Sequence, residues 1–598
     1  MKKFKKKLLS LALVMGLVAS CFTACGEDKK EETKKNEDTK KYEDQYTSMN
    51  AIEFTEVMGN GINLGNTMEA WGYQSYGINA ATSVYETSWG APVTTAEMIQ
   101  GMKDAGFDSI RIPVAWTNMM DFEKGDYTIN KAYIERVREI IQYAVDADMI
   151  AVVNDHWDGG WWAMFSSSSE ETRKAAMELY TSMWTQITEA YKDFDSHLVF
   201  ESGNEEMGNR FNDKEGNKYP WQKDTGNLTE DECYELTNTL NQKFVDIVRA
   251  AGGYNANRFL LIAGYNTNIA NTCDDRYKMP TDKVDGKLIV SVHYYDPSAY
   301  CIEEGIASWG TQSDVQTMND NLAKLTKFTD AGYGVIIGEW GVLEGKKTKG
   351  LKEDTLDYIK NFIANCEYYG YCPMLWDQNF LYSRSECKIV YDEIATFFAE
   401  KSYSKVQKDV DKEEVVGLAK RYISEALKNA PTGEVVPDDE ARAWIMWNSN
   451  DWSIAYRVGN DYPDGEAAGI EATDVKIEGA GTYTVALDFT GTAAGKSVGT
   501  AFSAIGILHG EALYPGYCIE VIEVRINGKA VQYSGDFYTT SDDGSCTRAN
   551  IYNAWVTEVP DEARTADGDL TNATPTPLDG PNLGDIMTIE IDFEYVAP

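Results

Sequence analysis

Residues 197–208 read HLVFESGNEEMG. A few residues suited to a buried strand run straight into Ser-Gly-Asn and two adjacent carboxylates, Glu205 and Glu206. A strand that ends in charge is a poor stability element, because a buried ionised carboxylate is costly unless it is paired. It makes sense where several strands deliver polar groups to one place. Seven further apolar runs share the pattern: GINLGN (61–66), SIRIPVAW (109–116), MIAVVNDHW (149–157), RFLLIAGYN (258–266), LIVSVHYYD (288–296), YGVIIGEWG (333–341) and YCPMLWDQ (371–378). Helical patterns separate most of them. Ile134, Val137, Ile141 and Val145 recur at helical spacing within 130–148. Thr94-x-x-Glu97 reads as a capping box ahead of MIQGMKDAG. Residues 170–192, 231–251, 316–331 and 353–368 read as helices in the same way.

Eight strands alternating with helices predict an α/β fold, a (β/α)8 TIM barrel over residues 47–400. The rival, an open doubly wound sheet, would carry a Gly-rich phosphate turn after the first strand, and none is there. Residues 401–435 read as a helix and linker, with VVGLAKRYISEALKNAP stopped at Pro431. From 436 to 598 short β-rich runs alternate with turn signals: AWIMW, TYTVALDF, AFSAIGIL, YCIEVIEVRING and MTIEIDFEY. Ile-Asn-Gly-Lys at 526–529 marks a hairpin. The expectation is an all-β sandwich, jelly-roll-like, serving as a carbohydrate-binding module or else as a structural sandwich that supports the barrel. Trp444, Trp447, Trp452, Tyr456, Tyr514, Tyr517 and Trp555 would form its sugar-stacking platform, or else its core.

The N-terminus reads as a leader. MKKFKKK is basic, LLSLALVMGLVAS is apolar and too short to span a bilayer comfortably, and small residues precede Cys21 and Cys25. Residues 1–25 are therefore expected to be a lipoprotein signal peptide, with Cys21 or Cys25 the lipidated residue, and 26–46 a charged tether. The expected location is the bacterial cell surface, with the lipid anchor as the sole membrane contact and the chain a monomer. A formal net charge of −40 disfavours nucleic acid and anionic lipid as partners and suits a neutral ligand. The eight remaining cysteines (233, 273, 301, 366, 372, 387, 518 and 546) form no C-x-x-C pair, and only four histidines are present, so no metal site and no cofactor are expected.

A barrel gathers the C-terminal ends of its strands on one face. That places Arg111, His156, Asn204, Glu205, His293, Tyr295, Glu339 and Trp376 together. Two carboxylates across such a mouth suit glycosidic bond cleavage, one giving a proton to the leaving oxygen and the other attacking the anomeric carbon or activating water. Tyr295 and Arg111 would favour ionised Glu339, making it the nucleophile. Glu205 is then the acid/base, tuned by His293, with Asn204 directed to a sugar 2-hydroxyl and Trp376 stacked under a ring.

Residues 50 to 400 resemble glycoside hydrolase family 5, a retaining cellulase family. GINLGNTMEAWG, ETSWGAPVTTAEMI, AGFDSIRIPVAW, ESGNEE, VSVHYYDP and VIIGEWG are similar to its subfamily 4. The resemblance implies a retaining endo-β-1,4-glucanase acting on cellulose-like glucan, mixed-linkage β-glucan or xyloglucan, with the same eight residues filling the family's functional positions. A β-mannanase or xylanase on the same barrel, or a surface glycan-binding lipoprotein without catalysis, are the alternatives. Two departures stand out. Glu206 occupies the place of the family's usual proline and reads as a solvated loop residue, and Trp157 replaces a common second histidine. Trp161 and Trp162 either line the cleft or pack, and His197 and His509 read as ordinary.

Overall fold

The computed structural model describes residues 43–121, 125–214, 224–302, 308–345, 349–431, 439–452, 454–456, 469–542 and 546–598. The expected leader with Cys21 and Cys25, and most of the tether, lie outside the described residues. No helix among the described residues is long and apolar enough to cross a membrane.

Each of the eight apolar runs is a strand, and together they close into a parallel barrel in sequence order. The strands are β1 (Gly61–Asn63), β2 (Ser109–Ile112), β3 (Ile150–Val153), β4 (Leu198–Glu201), β5 (Leu260–Asn268), β6 (Leu288–Tyr294), β7 (Gly334–Trp340) and β8 (Cys372–Leu375). Alternation assigns the faces. Outward residues such as Ile110, Val153, Phe200, Val290 and Ile337 pack in one large core with the surrounding helices. Inward residues Ile150, Val152, Val199, Leu261, Ile289 and Ile336 form a separate core. That core is closed from below by the helix Ala51–Val57, whose Phe54 stacks on Phe259 at 3.8 Å between centroids. Asn50 and Glu53 make a full capping box at the start of this helix.

The helices Ala96–Ala105, Lys131–Asp146, Glu170–Ala190, Glu230–Ala250 and Thr355–Tyr369 match the predicted segments closely. The predicted 316–331 segment is two helices, Gln312–Ala323 and Thr326–Thr329, and β5 is followed only by the short turn of helix Ile269–Cys273. The predicted capping box is one residue out of place. Thr95 is the N-cap and accepts from the Met98 N–H, whereas Thr94 is buried and its own N–H donates to Glu86. Helix Lys412–Asn429 follows the barrel and stops just before Pro431, whose carbonyl accepts from Gln312 N–H. The eight cysteines among the described residues form no disulfide, and six of them are buried.

Beyond residue 439 two antiparallel sheets enclose a second core. One orders Ala455–Tyr456, Ala441–Asn448, Phe502–Leu508, Cys546–Asn553 and Thr539–Asp542, and the other orders Glu471–Thr473, Gly481–Asp488, Thr588–Val596, Cys518–Ile526 and Lys529–Ala530. The 526–529 hairpin forms as read, with positive φ at both Asn527 and Gly528, as its tight turn requires. The seven-aromatic platform does not form. Trp444, Trp447 and Tyr456 are core residues, and Tyr514 and Tyr517 pack on Tyr595. Only Trp452 and Trp555 are exposed, at 46% and 61%. Their rings lie 5.6 Å apart.

Candidate active site

Two residues above the apolar floor, the same inward face turns polar. Asn63, Arg111, Glu201 and Ser291 form one layer, all fully buried. Arg111 is its centre. Its Nε donates to Glu201 Oε2 at 2.7 Å, its Nη1 to Glu339 Oε1 at 2.8 Å and Asn63 Oδ1 at 3.1 Å, and its Nη2 to Asn204 Oδ1 at 2.8 Å. Burial works against the guanidinium's charge, and Glu201 and Glu339 more than restore it, so its pKa is raised. Ser291 completes the layer by donating to Glu201 Oε1 at 2.6 Å.

A bulge in β7 brings the nucleophile candidate into the barrel. Val292 pairs with Ile337, but His293 pairs with Glu339, which leaves Gly338 as an extra residue. Ile337 faces outward, so strict alternation would turn Gly338 inward and Glu339 outward. The extra residue shifts the parity and sets Glu339 beside His293. A Cβ on Gly338 would lie 3.0 Å from Ser291 Oγ and 3.2 Å from His293 Nε2, so glycine suits the crowding.

Glu205 lies four residues beyond the end of β4 and reaches across to the same point. Its Oε1 is 3.0 Å from His293 Nδ1, and its Oε2 accepts from Arg210 Nη1 at 2.9 Å. Tyr295 donates to Glu339 Oε2 at 3.3 Å, and His156 Nε2 is 3.9 Å from Glu339 Oε1. Trp376 is half-buried, its ring nearly parallel to His156 with centroids 5.8 Å apart. Glu205, His293 and Glu339 each offer an atom within 4.8 Å of the others. Among the described residues this is the grouping with spacing suited to a cation, but Arg111 and Arg210 already serve its carboxylates and oppose another positive charge there.

The two carboxyls titrate as a pair. Burial pushes Glu339 up, against the pull of His293 and Arg111. Burial acts the same way on Glu205, yet the His293 hydrogen bond and the charges of His293, Arg210 and Arg111 outweigh it and hold that carboxyl below the usual glutamate range. A proton donor needs the opposite, and Arg210 contributes to the difference. Burial, aided by Arg111 and His293, lowers the His156 pKa well below its ordinary value, so the ring is neutral. Burial and the neighbouring Glu339 raise Tyr295, so it stays a donor.

All eight predicted residues therefore meet at one mouth. Glu206 departs from expectation: it is 3% exposed rather than solvated, because the loop after Asn204 turns its side chain inward beside Asn204 and Arg210. Trp161 and Trp162 are buried packing residues. Trp157 stands half-buried, edge-on to Trp71 at 5.9 Å, and Trp71 lies against Gly159, where a Cβ would be 2.3 Å from its ring. His197 sits by Asp195 below β4, and His509 lies against the Glu440 carbonyl. Asn63, Glu201, Ser291, Arg210 and Trp71 were not anticipated. Glu201 alone left a signal, as a carboxylate inside an apolar strand.

A family model described as Cellulase (glycosyl hydrolase family 5) matches residues 73–379, just over half of the chain. The chain belongs to glycoside hydrolase family 5. Within the family it is similar to Endoglucanase A of Clostridium longisporum, 31% identical over 335 residues, which are 55% of this chain and 60% of the relative. It is also similar to the xyloglucan-specific endo-beta-1,4-glucanase BoGH5A of Bacteroides ovatus, 30% identical over 350 residues, 56% of this chain and 66% of the relative. The matches thus span under two thirds of either relative's length. Among solved family 5 structures, a GH5-4 broad specificity endoglucanase from an uncultured bovine rumen ciliate aligns with a TM-score of 0.50 at 32% identity, covering 60% of this chain and 99% of that one.

Proposed function

We propose that the protein is a retaining endo-β-1,4-glucanase of plant cell-wall glucans, with Glu339 as nucleophile and Glu205 as acid/base. One observation carries this: the two carboxyls offer oxygens within 4.8 Å of each other at the barrel mouth. Double displacement uses carboxyls about 5–5.5 Å apart, whereas inversion needs roughly 6.5–9.5 Å to admit a water. Glu339 attacks the anomeric carbon as the glycosidic C–O bond breaks, and the Glu205 proton passes to the leaving oxygen. Water then enters and its oxygen bonds to the anomeric carbon while Glu205 takes its proton, and the bond from the sugar to Glu339 breaks with net retention. Arg111 and Tyr295 hold Glu339 in place for attack. Arg111 takes the Asn204 oxygen and Glu206 interacts with the Asn204 amide, which leaves one amide N–H to meet a sugar hydroxyl. Trp376, parallel to His156, offers a face for the ring.

The names of the relatives support a β-glucan, xyloglucan included, as substrate. The test is reducing-end release by residues 43–598, which keep the Asp44 bond to Ser196 and the packing of Tyr46 on Phe54. The substrates are xyloglucan, mixed-linkage β-glucan, carboxymethyl cellulose, xylan and mannan, with Glu339→Gln in parallel. Glucan cleavage lost in the variant is the expected result. Cleavage confined to mannan or xylan would change the substrate, and inactivity on every substrate would leave a binding protein.

The same proposal extends to the ends of the chain. The basic and apolar start followed by Cys21 and Cys25 supports a lipid-anchored, cell-surface enzyme. The exposed Trp452 and Trp555, with Phe502 at 6.2 Å from Trp555, support a glycan-stacking role for the sandwich. Trp555→Ala should weaken retention on insoluble glucan and leave hydrolysis of short soluble substrates unchanged.

A further inference from the structure

Glu206 directly follows the acid/base and has no part in the mechanism above. Its side chain is 4% exposed, and its Oε2 is buried with no hydrogen-bond partner among the described residues. Its Oε1 lies 3.5 Å from Arg210 Nη1, the same nitrogen that donates to Glu205 Oε2 at 2.9 Å. One guanidinium nitrogen thus faces two carboxylates that are neighbours in the chain. On the far side Arg210 Nε reaches Asp213 at 3.1 Å, in a more exposed position. Asp155, just past the end of β3, feels the charges of Glu206 and Asp158, and its own charge acts on Tyr180. Asp155 is fully buried and also carries an unpartnered oxygen. Across the mouth, Arg111, His293 and Glu339 address Glu205.

We propose that Glu206 is a positioning residue for the acid/base step: by sharing Arg210 with Glu205, its carboxyl decides how much of the guanidinium's charge the acid feels. The proposal rests on the reading of Glu205 as acid/base. Arg210 alone favours ionised Glu205, the wrong state for a proton donor. An ionised Glu206 takes up part of that charge and adds a negative field beside Glu205, so the Glu205 proton is kept to higher pH. Burial pushes the Glu206 carboxyl up to about 7, with Arg210 opposing and Glu205 adding to the rise. Compensation therefore strengthens as pH climbs through neutrality, where an acid limb would otherwise be lost. Burial and the Asp158 charge push the Asp155 carboxyl well above the usual carboxylate range.

The test is the pH profile of kcat/KM, which reports groups of the free enzyme, measured on a soluble β-glucan for the protein and for Glu206→Gln, Arg210→Gln and Glu205→Gln. In Glu206→Gln the profile should coincide with the parent below pH 6 apart from a constant factor, and its basic limb should move to lower pH by roughly half to one unit, a three- to tenfold loss on that limb. Arg210→Gln, at a partly exposed residue, should move the limb the other way. A uniform loss at every pH, or an unshifted limb in a folded Glu206→Gln, overturns the proposal. Should Glu206→Gln fail to fold, an unshifted limb in Arg210→Gln overturns it equally. Full activity in Glu205→Gln would remove the proposal together with its premise, whereas an inactive Glu205→Gln beside an unshifted Glu206→Gln limb overturns the proposal alone.

Discussion

The barrel interior is made twice from one pattern. Its floor is a set of aliphatic side chains sealed by Phe54 and Phe259, and its mouth, two residues further along the same strands, is an ionic network around Arg111. β4 passes from Val199 to Glu201 and β6 from Ile289 to Ser291 to His293, without leaving the inward face. The floor is held by area removed from water and tolerates approximate shape. The mouth is held by directed hydrogen bonds between charges, so deleting one partner strands another without water. Stability and chemistry thus occupy separate layers of a single tube.

The sharpest way to break this comparison is Arg111→Met. It leaves Glu201 buried without its cation, and urea unfolding should show a loss of about 3–5 kcal/mol. In the molecules that remain folded, kcat should fall by at least about 10²–10³. Phe54→Ala is the matching cut in the floor. It should cost about 3–5 kcal/mol in the same unfolding experiment, while kcat per folded molecule stays at the parent value. A drop in kcat there would mean that the layers are not separable. Gly338→Ala probes the boundary between them. Because Ser291 and His293 must yield to the new methyl, we expect kcat to fall within about tenfold, with a loss near 1–2 kcal/mol in stability.

The last effect is one of pH. Burial pushes the Glu69 carboxyl, on the mouth side and fully covered, up to about 7 against the pull of its backbone donors. A raised carboxylate means that the folded state holds a proton more tightly than the unfolded chain. Its stabilising contribution is complete below about pH 4.5 and fades as pH rises through 7, by about 3 kcal/mol at most. Thermal unfolding from pH 4.5 to 8 should therefore decline less steeply in Glu69→Gln than in the parent. Equal slopes would show that the ionisable mouth does not set the pH response.

The strands, their order and the eight converging residues were legible because polar strand ends and period-two alternation are local signals. The inward turn of Glu339 was not, because it depends on the bulge at Gly338, and pairing register is a property of two strands rather than one. Arg210 lies in the short 3-10 turn Asn209–Asn212, only five residues past Glu205, where no periodicity shows that its side chain turns back on that carboxylate. Adjacent acids look solvated in a linear sequence, which is why Glu206 read as exposed until the loop's turn was seen. In the sandwich, Trp444 and Trp447 read equally as platform or core, and strand Ala441–Asn448, covered on both faces, makes its indoles core. The two exposed tryptophans come from turns, where alternation carries no information.

The helix Ala51–Val57 has a directional consequence. Residues 44–49 approach it from beneath, where Asp44 bonds to Ser196 and Lys287 Nζ donates to the carbonyls of Thr47 and Met49, all at the starting ends of strands. The described residues thus begin at the pole opposite Glu205 and Glu339. Whatever joins the described residues at that pole therefore lies clear of the cleft.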